Sequence, residues 1–391
     1  VAIIGGGFTG ISAALHLAEA GIKATVLENR SVGWGASGRN GGFCCLGGGM
    51  LENAALDKKF GRDARNEWRQ TERAAVEFVD DLTTRFDIDL DRHSNGETQF
   101  AHRPKDMDSL RAQVKYYAES YGVEARLTEK DELADEGMNA GFHGALTVPI
   151  GFGLNPRKYI TGLAAAAEKA GAQIFHGTLV TQIIRKNGKF EIRTPSGTVT
   201  AEKVIIATNG YSSEDLPDWL AARYMPTQSS IIVTRPMTET ELGAQGWTSA
   251  QASYDTRHLL HYFRLMPDNR MLFGVRGGLM ANAGSEARAI KRARADFDAM
   301  FPAWRDVETP HAWSGMVCIA RNRMPFVGEV PGEQGIFTSL CYHGNGVAMA
   351  SYSGALLADL VQEKTSPRIY PEVVKRPLAR FELGRFRRAI M

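Results

Sequence analysis

Gly5, Gly7 and Gly10 stand at the spacing of G-x-G-x-x-G in Gly5-Gly6-Gly7-Phe8-Thr9-Gly10, and Glu28 follows about twenty residues later. That spacing suits a pyrophosphate. The first glycine permits a tight turn, the second lets backbone approach the phosphates, and the third lets a helix pack on a strand. Phe8 and Thr9 open that helix, whose free N–H groups and positive dipole end favour anionic oxygens. Glu28 can accept hydrogen bonds from ribose hydroxyls, and an acid there disfavours a 2′-phosphate. The chemistry on offer is the binding of a dinucleotide.

The flanking elements decide whether the glycines are in the right place. Val1-Ala2-Ile3-Ile4 is short, apolar and rich in β-branched residues, which reads as a buried parallel strand. Ile11, Ala14, Leu15, Leu17 and Ala18 recur at helical spacing up to a stop at Gly21. A second strand, Ala24 to Leu27, delivers Glu28 at its tip, with Asn29 and Arg30 behind it. A glycine-rich turn in an unrelated α/β domain is the competing reading; two framing strands and the acid favour the dinucleotide site. A second small-residue loop follows, Val32-Gly33-Trp34-Gly35-Ala36-Ser37-Gly38-Arg39-Asn40-Gly41-Gly42. Backbone bare of side chains lets an isoalloxazine lie flat, so the expected dinucleotide is FAD rather than NAD.

The run from Gly35 through Ala36, Ser37, Arg39 and Asn40 to Gly41 and Gly42 resembles the second fingerprint of the glycine oxidase/D-amino acid oxidase (DAO) superfamily. The likeness is to its branch of γ-glutamylputrescine oxidase-type amine oxidoreductases. It extends through Gly153-Leu154-Asn155-Pro156, Ala207-Thr208-Asn209-Gly210-Tyr211, Leu260 to Leu265, and Gly344-Asn345-Gly346-Val347. The fold this implies is α/β, a Rossmann-like FAD-binding domain interleaved with an α+β substrate domain on an antiparallel sheet. The implied activity is oxidation of the C–N bond of an amine or amino-acid derivative by hydride transfer to flavin N5, giving an imine that hydrolyses. Electrons then pass to oxygen or another acceptor. A dehydrogenase serving a quinone or carrier protein, and a flavin-binding subunit of a larger oxidase, are the alternatives.

The resemblance also distributes roles. Val180, Thr208, Asn209 and Gly210 are expected beside the cofactor, and Gly344, Asn345, Gly346 and Val347 at the flavin pyrimidine edge, with Asn345 where relatives carry His. Three positions depart from the family. Val317 falls where glycine oxidase-like members place a carboxylate-clamping Arg. Leu272 falls where sarcosine oxidase-like members place an oxygen-activating Lys. Arg39-Asn40 replaces the His of members with histidyl-linked flavin, and Cys318 lies near the cysteinyl-attachment position without matching it.

Substrate-side candidates each carry two readings. Tyr262 and Arg264 are two apart in a strand and share a face, so Arg264 either holds a substrate anion beside a Tyr262 wall or makes a structural ion pair. Trp313 is a pocket wall or ordinary core. Tyr342 and His343 precede the flavin-edge loop; His343 is a candidate base, with a structural hydrogen bond as its competing role.

Composition excludes several classes. With 391 residues, 43% hydrophobic and 23% charged, the chain suits a globular protein of about two domains. A formal charge of +2 gives no reason to expect nucleic acid. No apolar run suggests a transmembrane segment, and no metal-ligand spacing occurs. Cys44, Cys45, Cys318 and Cys341 read as reduced thiols of a cytoplasmic protein. Because the chain opens inside a strand without Met, residues upstream are expected to be missing.

Along the chain, helices are expected from Met50 to Thr84, Lys105 to Tyr121, Pro156 to Gly171 and Ala287 to Met300. Short strands are expected at Asp87–Leu90 and Glu97–Ala101, and an antiparallel sheet from Ile231 to Val275. The domain assignment is 1–86, 145–222 and 315–375 for FAD binding, and 87–144 and 223–314 for the substrate.

Overall fold

The computed structural model describes residues 1–279 and 282–389. Its first strand, Ala2–Ile4, is buried at every position and pairs in parallel with Thr25–Leu27 on one side and Val204–Ile206 on the other. Burial on both faces explains its unbroken apolar run. Six strands form this sheet, in the order Phe326–Glu329, Ile336–Leu340, Val204–Ile206, Ala2–Ile4, Thr25–Leu27, Gln173–Phe175. All pair in parallel except the antiparallel edge strand Phe326–Glu329. The helix Phe8–Glu19 packs against the long buried helix Gly346–Val361. That approach needs a glycine at 354, where a β-carbon would overlap the Thr9 carbonyl oxygen.

The second sheet has eight strands. Their order is His311–Ala320, Tyr224–Val233, Met271–Arg276, His261–Leu265, Ala252–Asp255, Glu97–Phe100, Gly144–Val148, Arg126–Glu129. Strand alternation gives it two unlike faces. One presents Phe100, Phe263 and Phe273 to Trp247, Phe297, Phe301 and Trp304, a buried aromatic cluster under the helix Ala283–Met300. Burial of each such ring is worth about 2–3 kcal/mol, so this face anchors the sheet. The opposite face carries Glu97, Tyr254, Tyr262, Gly274 and Arg276 towards the six-stranded sheet. The sheet therefore serves as a rigid plate with its functional side turned inward.

Helices bridge the two halves. Arg62–Arg85 contacts both the Gly346–Val361 helix and the Asp106–Tyr121 helix. Its buried Arg69 and Glu72 pair at 2.7 Å, and Tyr121 donates to the same carboxylate at 2.8 Å. Among the described residues no helix is long and apolar enough to cross a membrane.

The fold is the α/β arrangement expected, with three local corrections. Asp87–Leu90 is no strand: Asp87 turns the chain at φ +49° after the long helix. Gly144–Val148 pairs with Glu97–Phe100 in the eight-stranded sheet, so a return to the nucleotide side at 145 is too early. The strand His311–Ala320 pairs with Tyr224–Val233 along its whole length, so the boundary at 315 is also too early. Both were misplaced because an apolar strand reads alike in either sheet.

Candidate active site

A cavity of about 540 Å3 runs between the two sheets and is lined continuously from Glu28, Asn29, Arg30 and Val180 to Tyr262 and Arg276. At its first end the Glu28 carboxylate accepts from the backbone N–H of Gly6 at 2.7 Å and of Arg30 at 2.8 Å. The Ser37 hydroxyl accepts from the Phe8 N–H at 2.9 Å, tying the second glycine loop to the start of the first helix. A β-carbon on Gly7 would lie 2.8 Å from that Ser37 oxygen and close the space. Gly5, Gly7, Phe8, Thr9, Gly35, Ala36, Ser37, Arg39, Asn40 and Gly41 all line the cavity. Asn40 braces its own loop, donating to the carbonyls of Ala36 and Ser37 and accepting from the Gly42 N–H. A bare backbone cradle with an acid at one end is what a dinucleotide such as FAD requires.

Further in, Gly344, Asn345, Gly346 and Val347 stand at the N-terminus of the Gly346–Val361 helix, where the dipole is positive. Asn345 donates to the Leu46 carbonyl at 3.1 Å and receives a long hydrogen bond from Arg276 at 3.4 Å. Thr208 and Asn209 line the opposite wall; Asn209 accepts from the Cys341 N–H at 3.0 Å. The Tyr342 hydroxyl is shared between Thr9 at 2.8 Å and Ser339 at 2.7 Å, and burial pushes its pKa up to about 12. It supports the floor and has no proton to exchange near neutrality.

The innermost wall is the inward face of the eight-stranded sheet. Tyr262 and Tyr254 are directly paired neighbours, and the Tyr262 hydroxyl lies 2.8 Å from the Ser229 hydroxyl. Glu97, Cys45 and Arg276 complete this end, with Leu260, Met316 and Val317 as apolar lining. Burial raises the Glu97 carboxyl to about 7, against the lowering pull of the Cys45 thiol and Arg276. Burial lowers the Arg276 guanidinium.

Several expected roles need correction. Arg264 shares the inward face but does not reach the cavity. It is buried beneath the second glycine loop, donating to the carbonyls of Gly41 at 2.6 Å and Leu154 at 2.9 Å, with His93 Nε2 at 2.7 Å. It is neither a substrate clamp nor half of a structural ion pair. Trp313 is also off the cavity, donating to the Arg39 carbonyl at 2.8 Å and packing beside Ile231, Val233 and Leu272. His343 lines the cavity, yet both ring nitrogens are committed: Nε2 accepts from the Ala320 N–H at 3.1 Å, and Nδ1 lies 2.9 Å from the Gly48 carbonyl. It has no lone pair free to act as a base. Gly10, Gly42 and Gly210 fall outside the lining; Gly10 and Gly42 instead pack against the backbone oxygens of Gly5 and Leu154.

Arg276, Glu97, Tyr254 and Ser229 were not singled out from the sequence. The available signal was parity: Arg276 follows Gly274 by two in its strand, and Tyr262 sits opposite Gly274. Finding Glu97 required the parallel pairing of Glu97–Phe100 with Ala252–Asp255, which crosses a large sequence separation. Among the described residues no cluster of three or more metal-ligating side chains occurs.

Comparison with known proteins agrees with this geometry. A family model described as "DAO: FAD dependent oxidoreductase" matches residues 1–360. The "Probable oxidoreductase OrdL" of Rhizobium meliloti (strain 1021) is 32% identical over 367 residues, covering 94% of this chain and 83% of that protein. The γ-glutamylputrescine oxidoreductase of Escherichia coli (strain K12) is 30% identical over 362 residues, covering 93% and 83%. The crystal structure of glycine oxidase from Geobacillus kaustophilus superposes with a TM-score of 0.77 at 20% identity, covering 96% of this chain and 98% of that one.

Proposed function

We propose that this chain, which belongs to the DAO family of FAD-dependent oxidoreductases, oxidises the C–N bond of an amine or amino-acid derivative to an imine that water hydrolyses. The observation that carries this reading is the single cavity joining the Glu28 cradle to the Tyr254–Tyr262 wall. FAD, when bound, supplies the hydride acceptor. The chain's residues divide the rest of the work. Glu28 holds ribose hydroxyls, the Gly5–Gly10 turn with Phe8 and Thr9 holds the pyrophosphate, and the Gly35–Gly42 and Gly344–Val347 segments hold the ring system. Tyr262 and Tyr254 orient the amine against the ring and keep bulk water from it, and Val317 and Met316 close the apolar side. Orientation of this kind suits an oxidation that needs no strong acid or base.

A second reading concerns the acceptor. Leu272 stands where the resemblance places an oxygen-activating Lys, and it packs with Ile231 and Val233 away from the cavity. That favours a dehydrogenase passing electrons to a quinone or carrier protein. A cytoplasmic location belongs to the same proposal and is supported by four buried free thiols, Cys318 and Cys341 lying 3.5 Å apart without a disulfide.

The test is anaerobic reduction of the FAD-loaded protein by a panel of amines and amino acids, followed by air. Bleaching of the flavin colour with fast return identifies an oxidase, and slow return a dehydrogenase. A protein that binds FAD yet is bleached by no amine would overturn the reading.

A further inference from the structure

We propose that Glu97 and Arg276 are an opposed-charge pair that selects a zwitterionic amine, Arg276 taking its carboxylate and Glu97 holding its ammonium and then accepting its proton, so that the neutral amine is the form oxidised. The inference rests on the amine-oxidising reading and narrows its substrate class.

Two buried arginines elsewhere are closed by the protein itself. Arg69 meets Glu72 and Tyr121, and Arg264 is satisfied by Gly41, Leu154 and His93. Arg276 and Glu97 differ. Both line the cavity on the inward face of the eight-stranded sheet, and among the described residues neither has an ion-pair partner within 4.0 Å. Guanidinium has five donors, and among the described residues the one side-chain hydrogen bond of Arg276 is the 3.4 Å contact to Asn345. The Glu97 carboxyl has the Cys45 thiol as its side-chain partner, a weak donor. Glu97 is buried and Arg276 half-buried, and both line the cavity, where a ligand of opposite charge can take up their unused bonding capacity.

Their placement fits one ligand. Arg276 and Glu97 lie on strands separated by His261–Leu265 and Ala252–Asp255, which carry Tyr262 and Tyr254 inward between them. An amine lying on that aromatic floor meets a cation on one side and a carboxylate on the other. The two feel each other's charge, yet no nitrogen–oxygen contact within 4.0 Å joins them into an ion pair. Val317 leaves the family's clamp position apolar, so an anionic substrate group needs Arg276. The competing role for Arg276 is towards the cofactor, since a β-carbon on Gly344 would lie 2.5 Å from its Nη2.

The FAD-loaded enzyme decides between them. Ligand-induced changes in flavin absorbance, read anaerobically at pH 8, give affinities for ω-amino acids with one to five methylenes and for alkylamines and alkanoates of matched length. One length of zwitterion is expected to bind about 10- to 100-fold tighter than either singly charged counterpart. Arg276→Gln should abolish the zwitterion's advantage over the alkylamine and weaken alkanoates, and Glu97→Gln should abolish its advantage over the alkanoate and weaken alkylamines. Zwitterions binding no tighter than alkylamines to the unaltered enzyme would overturn the proposal, whether or not the variants fold. So would an Arg276→Gln enzyme with altered ligand-free flavin spectrum and reduction potential but unchanged probe ranking. Flavin reduction is read separately: bleaching without charge preference refutes the pair alone, and charge preference without bleaching refutes the amine reading alone.

Discussion

The Tyr262 ring lies over the α-carbon of Gly274, its directly paired neighbour on the next strand, so closely that a β-carbon there would overlap the ring. The absence of a side chain at 274 thus sets where the aromatic wall of the cavity stands. The Tyr262 hydroxyl is held by Ser229, and the ring cannot tilt without breaking that bond.

Gly274→Ala should therefore push Tyr262 into the cavity. Overpacking of this kind costs about 1–3 kcal/mol, and it should appear as a lowered kcat/KM for the reducing amine while FAD content stays unchanged. Stopped-flow reduction of the FAD-loaded variant checks it. Reduction at the original rate would show that Tyr262 does not position the substrate.

Glu97 makes a prediction in stability. Its carboxyl rises from an ordinary 4.5 to about 7 on folding, through burial. Between those values the native state binds the proton that the unfolded state has released. The group's contribution is therefore full below pH 4.5 and is lost as pH rises through 7. A rise of that size corresponds to about 3 kcal/mol. Glu97→Gln should melt higher than the original protein at pH 8 and at nearly the same temperature at pH 5. Parallel melting curves from pH 5 to 8 would refute the buried, readily protonated carboxyl.

What the sequence revealed follows from range. The Gly5–Gly10 turn, the strands around it and Glu28 lie within one local βαβ stretch, so spacing alone placed them. The eight-stranded sheet is assembled from segments between residues 97 and 320, and its inward face depends on register across those distances. Parity brought Tyr262 to the cavity correctly and misdirected Arg264. Both point inward, but the loop at Gly41–Gly42 lies over Arg264 and not over Arg276. Which of two same-face arginines meets the cavity is decided by that covering loop, and no periodicity in the strand encodes it.

His343 should behave as a strut. Its ring joins the Gly48 carbonyl to the Ala320 N–H, and burial lowers its pKa. Stability from the neutral ring is full above its ordinary value of 6.5 and declines as pH falls towards the lowered one. His343→Asn should cost about 1–3 kcal/mol by leaving buried backbone groups unpaired, visible as a lower melting temperature. The pH dependence of flavin reduction should keep its shape. Loss of a titration limb in that profile would restore His343 as a base.

Arg264 tests the distinction between a clamp on substrate and a clamp on the fold. Its guanidinium fastens Gly41 in the second glycine loop to Leu154, and its charge joins burial in pushing His93 down to about 4. Burial lowers Arg264 itself to about 10, still charged near neutrality. Lys offers one nitrogen in place of the planar fork whose three nitrogens each meet a different partner, so Arg264→Lys and Arg264→Met should both loosen the loop. Each carbonyl left without a donor costs about 1–3 kcal/mol. The expected signature is a weaker FAD affinity and a lower melting temperature, with the KM of the FAD-saturated enzyme unchanged. A substrate clamp would give the reverse: a raised KM with FAD affinity and melting temperature intact. Because Gly42 has no room for a β-carbon between the Leu154 oxygen and Arg264, Gly42→Ala should reproduce the loss of FAD affinity through the same contact, which ties the effect to the loop rather than to charge.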